Sequence, residues 1–280
     1  TATQTAASAA ASSFGPMLKA WRNTRKLSQL ELAVDAGVSQ RHLSFLESGR
    51  SQPSREMILA LAEALDIPLR ERNTLLGAGG YAPLYRERDL NAAEMQPVRQ
   101  ALEITLEHHN PYPAIVVNRS WDMLMANDAA QRMYSAIGDP EAMWAAVDPS
   151  GKRNALRYTF HPKGLQPYIK NWEEVVTVML NRLQREAAME ADNSALKDLV
   201  DEVSQYPGVP DTSATIWHSP PPPILPLEVE LNGMLLKTFT MISSFGTPQD
   251  ITTDELRLET FFPADETTKQ VFHMLAQQAG

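Results

Sequence analysis

Between Phe14 and Gly80 the chain is punctuated so closely that only short helices fit. Ser28, Ser39, Ser54 and Pro68 open four runs and stand 11, 15 and 14 residues apart. A Ser at such a position accepts a bond from a first-turn N–H, and Pro suits a helix start because it has no N–H to leave unpaired. Glu31 follows Ser28 at the capping-box spacing. Gly37 stops the run over Gln29–Ala36, and Ser48-Gly49 stops the next. A helix before Ser28 carries Met17, Leu18 and Trp21, while Met57, Ile58, Leu61 and Leu65 share one face of the helix after Ser54. Gly77, Gly79 and Gly80 close the segment. The expected product is five short helices around one small core.

The remaining chain is too long to be an appendage of that module, since 280 residues suit two domains. Thr1–Ser13 is uncharged and of low complexity, and is expected to be a disordered tail. Residues 81–109 read as a linker and connecting helix, with Val98, Leu102 and Leu106 on one face of Met95–His108. Residues 110–280 form the second domain. Ala114–Val117 and Trp121–Ala126 read as strands, followed by helices over Asp128–Ser135, Glu141–Val147, Tyr168–Met189 and Ser194–Gln205. Pro220–Pro223 bar regular structure. Leu227–Leu231 and Met234–Ser243 flank Asn232-Gly233, the dipeptide that a type I′ hairpin turn favours. A strand near Leu256–Phe261 and a helix from Asp265 end the pattern. Helices should therefore surround a small antiparallel sheet.

Charge separates the two parts. The net charge is −9, yet residues 14–80 hold nine Lys and Arg against seven Asp and Glu, and residues 81–280 hold 16 against 27. A mildly basic module on an acidic body suits selective attraction to phosphates. No cysteine is present, which excludes disulfides, thiolate metal sites and cysteine nucleophiles. Apolar runs such as Val175–Leu180 are far shorter than the roughly 20 residues of a membrane span, and no signal-peptide pattern opens the chain. A cytoplasmic location without membrane contact is expected.

The segment LSQLELAVDAGVSQRHLSFLESGRSQP over Leu27–Pro53 resembles the lambda-repressor-like, XRE-type helix-turn-helix. Ala33 would let two helices approach, Gly37 would accept the turn, and Leu43 and Leu46 would hold helix three against the core. The resemblance implies that helix three enters a major groove of a double-stranded operator. Gln40 and Arg41 then face bases, Gln being suited to adenine and Arg to guanine. Ser39 opens that helix, Ser44 lies one turn on, and His42 is a weaker base-facing candidate. The resemblance implies that Gln29 grips a phosphate through side chain and backbone, that Arg50 adds a second phosphate contact, and that Arg22 and Glu47 form a partly buried salt bridge.

Three later blocks, NPYPAIVVNRSWDMLMAND, NALRYTFHPKGLQPYIKNWEEV and SSFGTPQDITTDELRLETFFPAD, resemble the MmyB-like regulators, an actinobacteria-associated family with a PAS-like domain after the helix-turn-helix. The resulting fold class is an α-rich two-domain protein: a five-helix module, then an α+β PAS-like domain with a small antiparallel sheet. The resemblance implies a small apolar or amphipathic ligand, a fatty acid in that family, and no required cofactor. An acyl chain needs an apolar tunnel and a partner for its carboxylate. Arg157 and Arg257 are the candidate head-group partners, with Tyr158, His161 and Asn171 as polar neighbours. Trp121, Met123, Met125, Trp172, Val176, Phe239, Met241 and Phe245 are candidate lining, each of which also reads as ordinary core. Asn127 reads as a helix cap.

Other chemistries find little support. His108, His109, His161, His218 and His273 share no fixed spacing that would mark a metal or haem site. Gly77-Ala-Gly-Gly lacks the strand and helix context of a nucleotide cradle, and no nucleophile elbow is present. The expectation is a DNA-binding regulator, not an enzyme, acting as a homodimer with the connecting helix as candidate contact. The alternative is a regulator whose second domain serves only dimerisation or protein contact.

Overall fold

A computed structural model describes residues 14–189, 194–211, 223–231 and 233–277. The proposed tail, His218, most of the proline run and Asn232 of the hairpin turn lie outside the described residues. The chain divides into two compact units. The first runs to Arg88 and takes in Thr247–Asp254; the second comprises Asp89–Gly246 and residues from Glu255 onward.

The first unit contains helix α1 (residues 14–24), α2 (Gln29–Asp35), α3 (Gln40–Glu47), α4 (Arg55–Ala64) and α5 (Leu69–Ala78). Ser28 and Glu31 form the expected reciprocal capping box, and the Ser39 and Ser54 hydroxyls cap α3 and α4. Phe14, Leu18, Trp21, Leu32, Leu43, Leu46, Ile58, Leu61, Leu75 and Leu76 form one buried cluster. Gly37 has a φ of 67°, a conformation that a side chain would strain. Gly15 matters for a different reason. A Cβ there would lie 2.5 Å from the Glu47 carbonyl oxygen, so its absence lets α1 rest directly on the end of α3.

One member of this unit comes from far along the chain. Pro68 opens α5 without a side-chain cap. The Leu69 N–H instead donates to Asp254 Oδ2 at 2.9 Å, across 185 residues. Arg88 pairs with Asp250 at 2.6 Å, and the Ile251 N–H donates to the Arg86 carbonyl. The expected boundary near residue 80 therefore gives way to a unit that extends to Arg88 and borrows a later segment.

The second unit opens with a 3₁₀ turn over Ala93–Met95 and helix α6 (Gln96–His109). Its sheet comprises β1 (Ala114–Val117), β2 (Met123–Ala126), β3 (Leu227–Leu231), β4 (Met234–Ser243) and β5 (Arg257–Pro263), all antiparallel in the order β2-β1-β5-β4-β3. This is the α+β PAS-like arrangement that the resemblance implied. Leu231 pairs with Met234 across the two-residue loop, and Gly233 has the positive φ that a primed turn requires. β2 starts two residues later than expected. Asn118 Oδ1 accepts from the Ser120 and Asp122 N–H groups, and Trp121 sits at a φ of 62°, so the chain is still turning there.

The two sheet faces carry separate cores. Ala114, Val116 and Leu258 pack on Leu102 and Leu106 of α6. That contact corrects the expectation for the connecting helix, because the face carrying Val98, Leu102 and Leu106 is covered by the unit's own sheet. Ile115, Val117, Val229, Leu231 and Leu236 meet the helices on the other face. Those helices are α7 (Asp128–Ile137), α8 (Pro140–Val147), α9 (Ala155–Phe160), α10 (Trp172–Met189) and α11 (Ser194–Ser204). The connection between β4 and β5 carries α12 (Ile251–Glu255), and α13 (Glu266–Gln277) completes the set. Asn127 caps α7 as expected and also accepts from the Ala114 N–H.

Candidate functional site

The first candidate surface is the outer face of α3. Leu43 and Leu46 are fully buried, so the helix is fixed by one side and its other side faces out. Gln40 and Arg41 are exposed on that outer side, and His42 and Ser44 are half-buried beside them. The guanidinium carbons of Arg41 and Arg50 lie 5.4 and 5.9 Å from the Phe45 ring centroid. Phe45 thus gathers the two cations on one face, a role signalled only by its place one turn after Arg41. Ser39 uses its hydroxyl to cap α3 through the His42 N–H.

Beneath this face lies the expected ion pair. Arg22 Nε and Nη2 reach the two Glu47 carboxylate oxygens at 2.6 and 3.0 Å. Burial alone would raise the Glu47 carboxyl, but the bonds from Arg22 and Gln29 outweigh it and hold the group below its ordinary range. Gln29 joins this pair. Its side-chain amide donates to Glu47 Oε2 at 2.8 Å, which braces α2 on α3.

The second candidate site is a cavity of about 200 Å³ between the sheet and helices α7, α9 and α10. Its walls are mostly apolar, with Ile115, Leu156, Val175, Met179, Leu227, Leu236 and Phe261 among them. The space suffices for on the order of ten non-hydrogen atoms, judged from the volume that one water needs. Polar groups are few: Arg182, Glu259, Thr159, Thr238, Thr240, the Trp121 indole N–H and the phenols of Tyr134 and Tyr158. Burial raises both phenols well above their ordinary range, so they are neutral donors. Burial likewise raises the Glu259 carboxyl, against the opposing pull of Arg182 and the Thr240 hydroxyl.

The comparisons with known proteins describe a helix-turn-helix followed along the chain by a ligand-binding domain. The MmyB-like transcription regulator ligand binding domain matches residues 98–275, and a helix-turn-helix family matches residues 18–72. The chain belongs to the MmyB-like transcription regulators. Similar proteins include the HTH-type transcriptional repressor RghR of Bacillus subtilis, 32% identical over 139 residues, which are 49% of this chain and 98% of that protein. Another is the uncharacterized HTH-type transcriptional regulator RghRB of the same organism, 29% identical over 119 residues, 42% of this chain and 84% of that protein. A helix-turn-helix transcriptional regulator with a ligand-binding domain is thereby shown.

Within this MmyB-like regulator, Trp121 and Phe239 of the lining candidates, and Tyr158 of the polar neighbours, border the cavity. The other lining candidates lie elsewhere. Met123 and Met125 border a separate, more polar depression beside α8, Met241 is exposed, and Phe245 packs near α6. Trp172 packs on Phe160 and donates to the Gly208 carbonyl. Val176 is fully buried in the helix-side core. Asn171 ties α10 to β3 through the Pro226 carbonyl and the Glu228 N–H, and His161 ends α9 against Tyr206.

Neither proposed head-group arginine faces the cavity. Arg157 makes two bonds to Glu202, at 2.9 and 2.8 Å, and one to Asp148 at 3.0 Å. Arg257 is paired with Glu186 of α10. Sequence reasoning missed Arg182 and Glu259. Their signal was positional: Arg182 shares a helical face with Val175 and Met179, and Glu259 alternates with Phe261 on the inward side of β5.

Proposed function

We propose that this chain is a sequence-specific DNA-binding regulator whose operator affinity is set by a fatty-acid-like molecule in the PAS-like cavity. One observation carries the reading. β4 and β5 both line the cavity, and the segment between them, Thr247–Asp254, is built into the helix-turn-helix unit. A ligand that alters the spacing of those strands acts on the ends of a segment that caps α5 and pairs with Arg88. The shift it can produce is bounded by its differential affinity for the two arrangements. A single module reads only a few base pairs, so the DNA-binding unit is proposed to be a homodimer on half-sites about 34–36 Å apart or a multiple of that. No helix among the described residues is long and apolar enough to cross a membrane, which agrees with a regulator acting in the cytoplasm.

The test starts from an operator selected from a random-site library with the full chain. Two-fold-related half-sites at that spacing are expected. Arg41→Ala should weaken binding by about 1–3 kcal/mol and relax base preference at one position in each half-site. Dodecanoic acid added to delipidated protein should change operator affinity by roughly 5–150-fold. An unaltered selection by the variant, or an affinity indifferent to the acid, would overturn the corresponding half of the proposal.

A further inference from the structure

The cavity wall holds two hydrogen-bond donors that no described residue satisfies. Trp121 is 2% exposed, and its indole Nε1 has no partner among the described residues. Arg182 Nε is also buried without a partner among the described residues. Both side chains line the same cavity, and the guanidinium carbon of Arg182 lies 5.2 Å from the Trp121 ring centroid. Buried donors in native proteins are nearly all paired, so two neighbouring orphans on one wall mark a place where a group from outside completes the bonding.

The backbone is arranged to present one of them. Trp121 is held at positive φ, uncommon for so bulky a residue. It is fixed there by its N–H donating to the Asn118 carbonyl and its carbonyl accepting from the Ala155 N–H. Strain of this kind in a cavity wall is characteristic of binding sites. The cation–π contact with the indole orients the guanidinium and leaves its Nε–H free to donate to a group in the cavity. Glu259 also faces the cavity, but no ion pair joins it to Arg182 among the described residues. Burial favours the neutral form of that carboxyl, so the wall keeps the positive charge of Arg182.

We infer that Trp121 Nε1 and Arg182 together form the anchor for an oxygen-bearing anionic head group, a carboxylate on an apolar body, with the apolar body lying along the Val175, Met179, Leu227 and Phe261 wall. The inference rests on the ligand-binding reading above and assigns to Arg182 the role that the sequence suggested for Arg157 or Arg257. An indole N–H and a guanidinium N–H can each donate to one carboxylate oxygen, a charge-assisted arrangement stronger than neutral hydrogen bonds. Apart from the Glu259 carboxyl, the remaining wall offers only contact and hydroxyls, so a neutral chain of equal length gains little from the anchor.

The experiment compares dodecanoic acid with 1-dodecanol on delipidated full-length protein by titration calorimetry, for the parent, Arg182→Met and Trp121→Phe. Arg182→Met should weaken the acid by about 10–100-fold and the alcohol by no more than a few-fold. Trp121→Phe keeps the aromatic ring and removes only the donor, and should show a smaller loss with the same preference for the acid. Circular dichroism and thermal melting of each variant establish that it is folded, and the milder Trp121→Phe keeps the test open if Arg182→Met fails to fold. If the parent binds the acid and both folded variants bind it equally well, the anchor is wrong and the ligand-binding reading survives. If the parent binds neither probe, that reading fails and the inference with it.

Discussion

Arg22→Met should destabilise the helix-turn-helix unit by about 3–5 kcal/mol, because it leaves the buried Glu47 carboxylate without its cation. The Arg22 and Glu47 side chains are only 10% and 4% exposed, so water cannot take over the lost bonds. The Arg22 guanidinium also donates to the Leu27 carbonyl at 2.8 Å, just ahead of the capping box that starts α2. The substitution therefore loosens α2, α3 and the turn between them together. Hydrogen exchange of the α3 amides under native conditions reads the change. The double variant Arg22→Met, Glu47→Leu should recover most of the loss, since removing both charges leaves no uncompensated ion. A single variant within about 1 kcal/mol of the parent would show that the pair is incidental to the stability of the unit.

Arg157→Met should cost the ligand-binding unit about 2–3 kcal/mol while leaving acid binding unchanged. Arg157 joins the start of α9 to Asp148 at the end of α8 and to Glu202 of α11. Asp148 is almost wholly buried, and Glu202 also accepts from the Tyr206 hydroxyl. The bond from Arg157 lowers the Glu202 carboxyl, and bonds from Ser150 and Arg157 overcome burial to lower Asp148. Both folded values thus lie below the unfolded ones, near 4. Their stabilising contribution is fully present above the unfolded values and is lost as pH falls through the folded ones. Urea titrations at pH 7 and below pH 4 should show a steeper acid loss in the parent than in Arg157→Met. Equal pH dependence, or a specific loss of acid affinity, would return Arg157 to the candidate head-group role.

These two arginines show how far the sequence could be read. Arg22, Glu47 and the serine caps belong to local grammar: caps three residues from the N–H groups that donate to them, glycines at turns, and apolar positions at helical spacing. The hairpin at Gly233 and the limits of β1, β3 and β4 were legible for the same reason, since turn chemistry and alternation act over a few residues. Helix α9 was not, because it is only six residues long and its Asn154 cap is held by the Ser120 carbonyl and Asp122. The sequence pattern places the start of α10 too early because Gln166–Tyr168 forms a 3₁₀ turn whose apolar members imitate another helical turn.

The site was less legible than the fold. An arginine near aromatic residues reads alike whether it faces a ligand or a carboxylate, and only tertiary pairing separates Arg157 and Arg257 from Arg182. Asp254 is the extreme case, for no local pattern links it to a helix start 185 residues away. Charges within otherwise apolar periodic faces, such as Arg182 and Glu259, were the usable signal, because a buried ionisable group requires a partner or a purpose.

Native mass spectrometry of the full-length protein tests most directly whether the cavity is a ligand site. The purified chain, or its delipidated form given excess dodecanoic acid, should carry one acyl chain per protomer, removed by delipidation and displaced by a second fatty acid. A mass equal to the bare polypeptide under every one of these conditions would contradict the account.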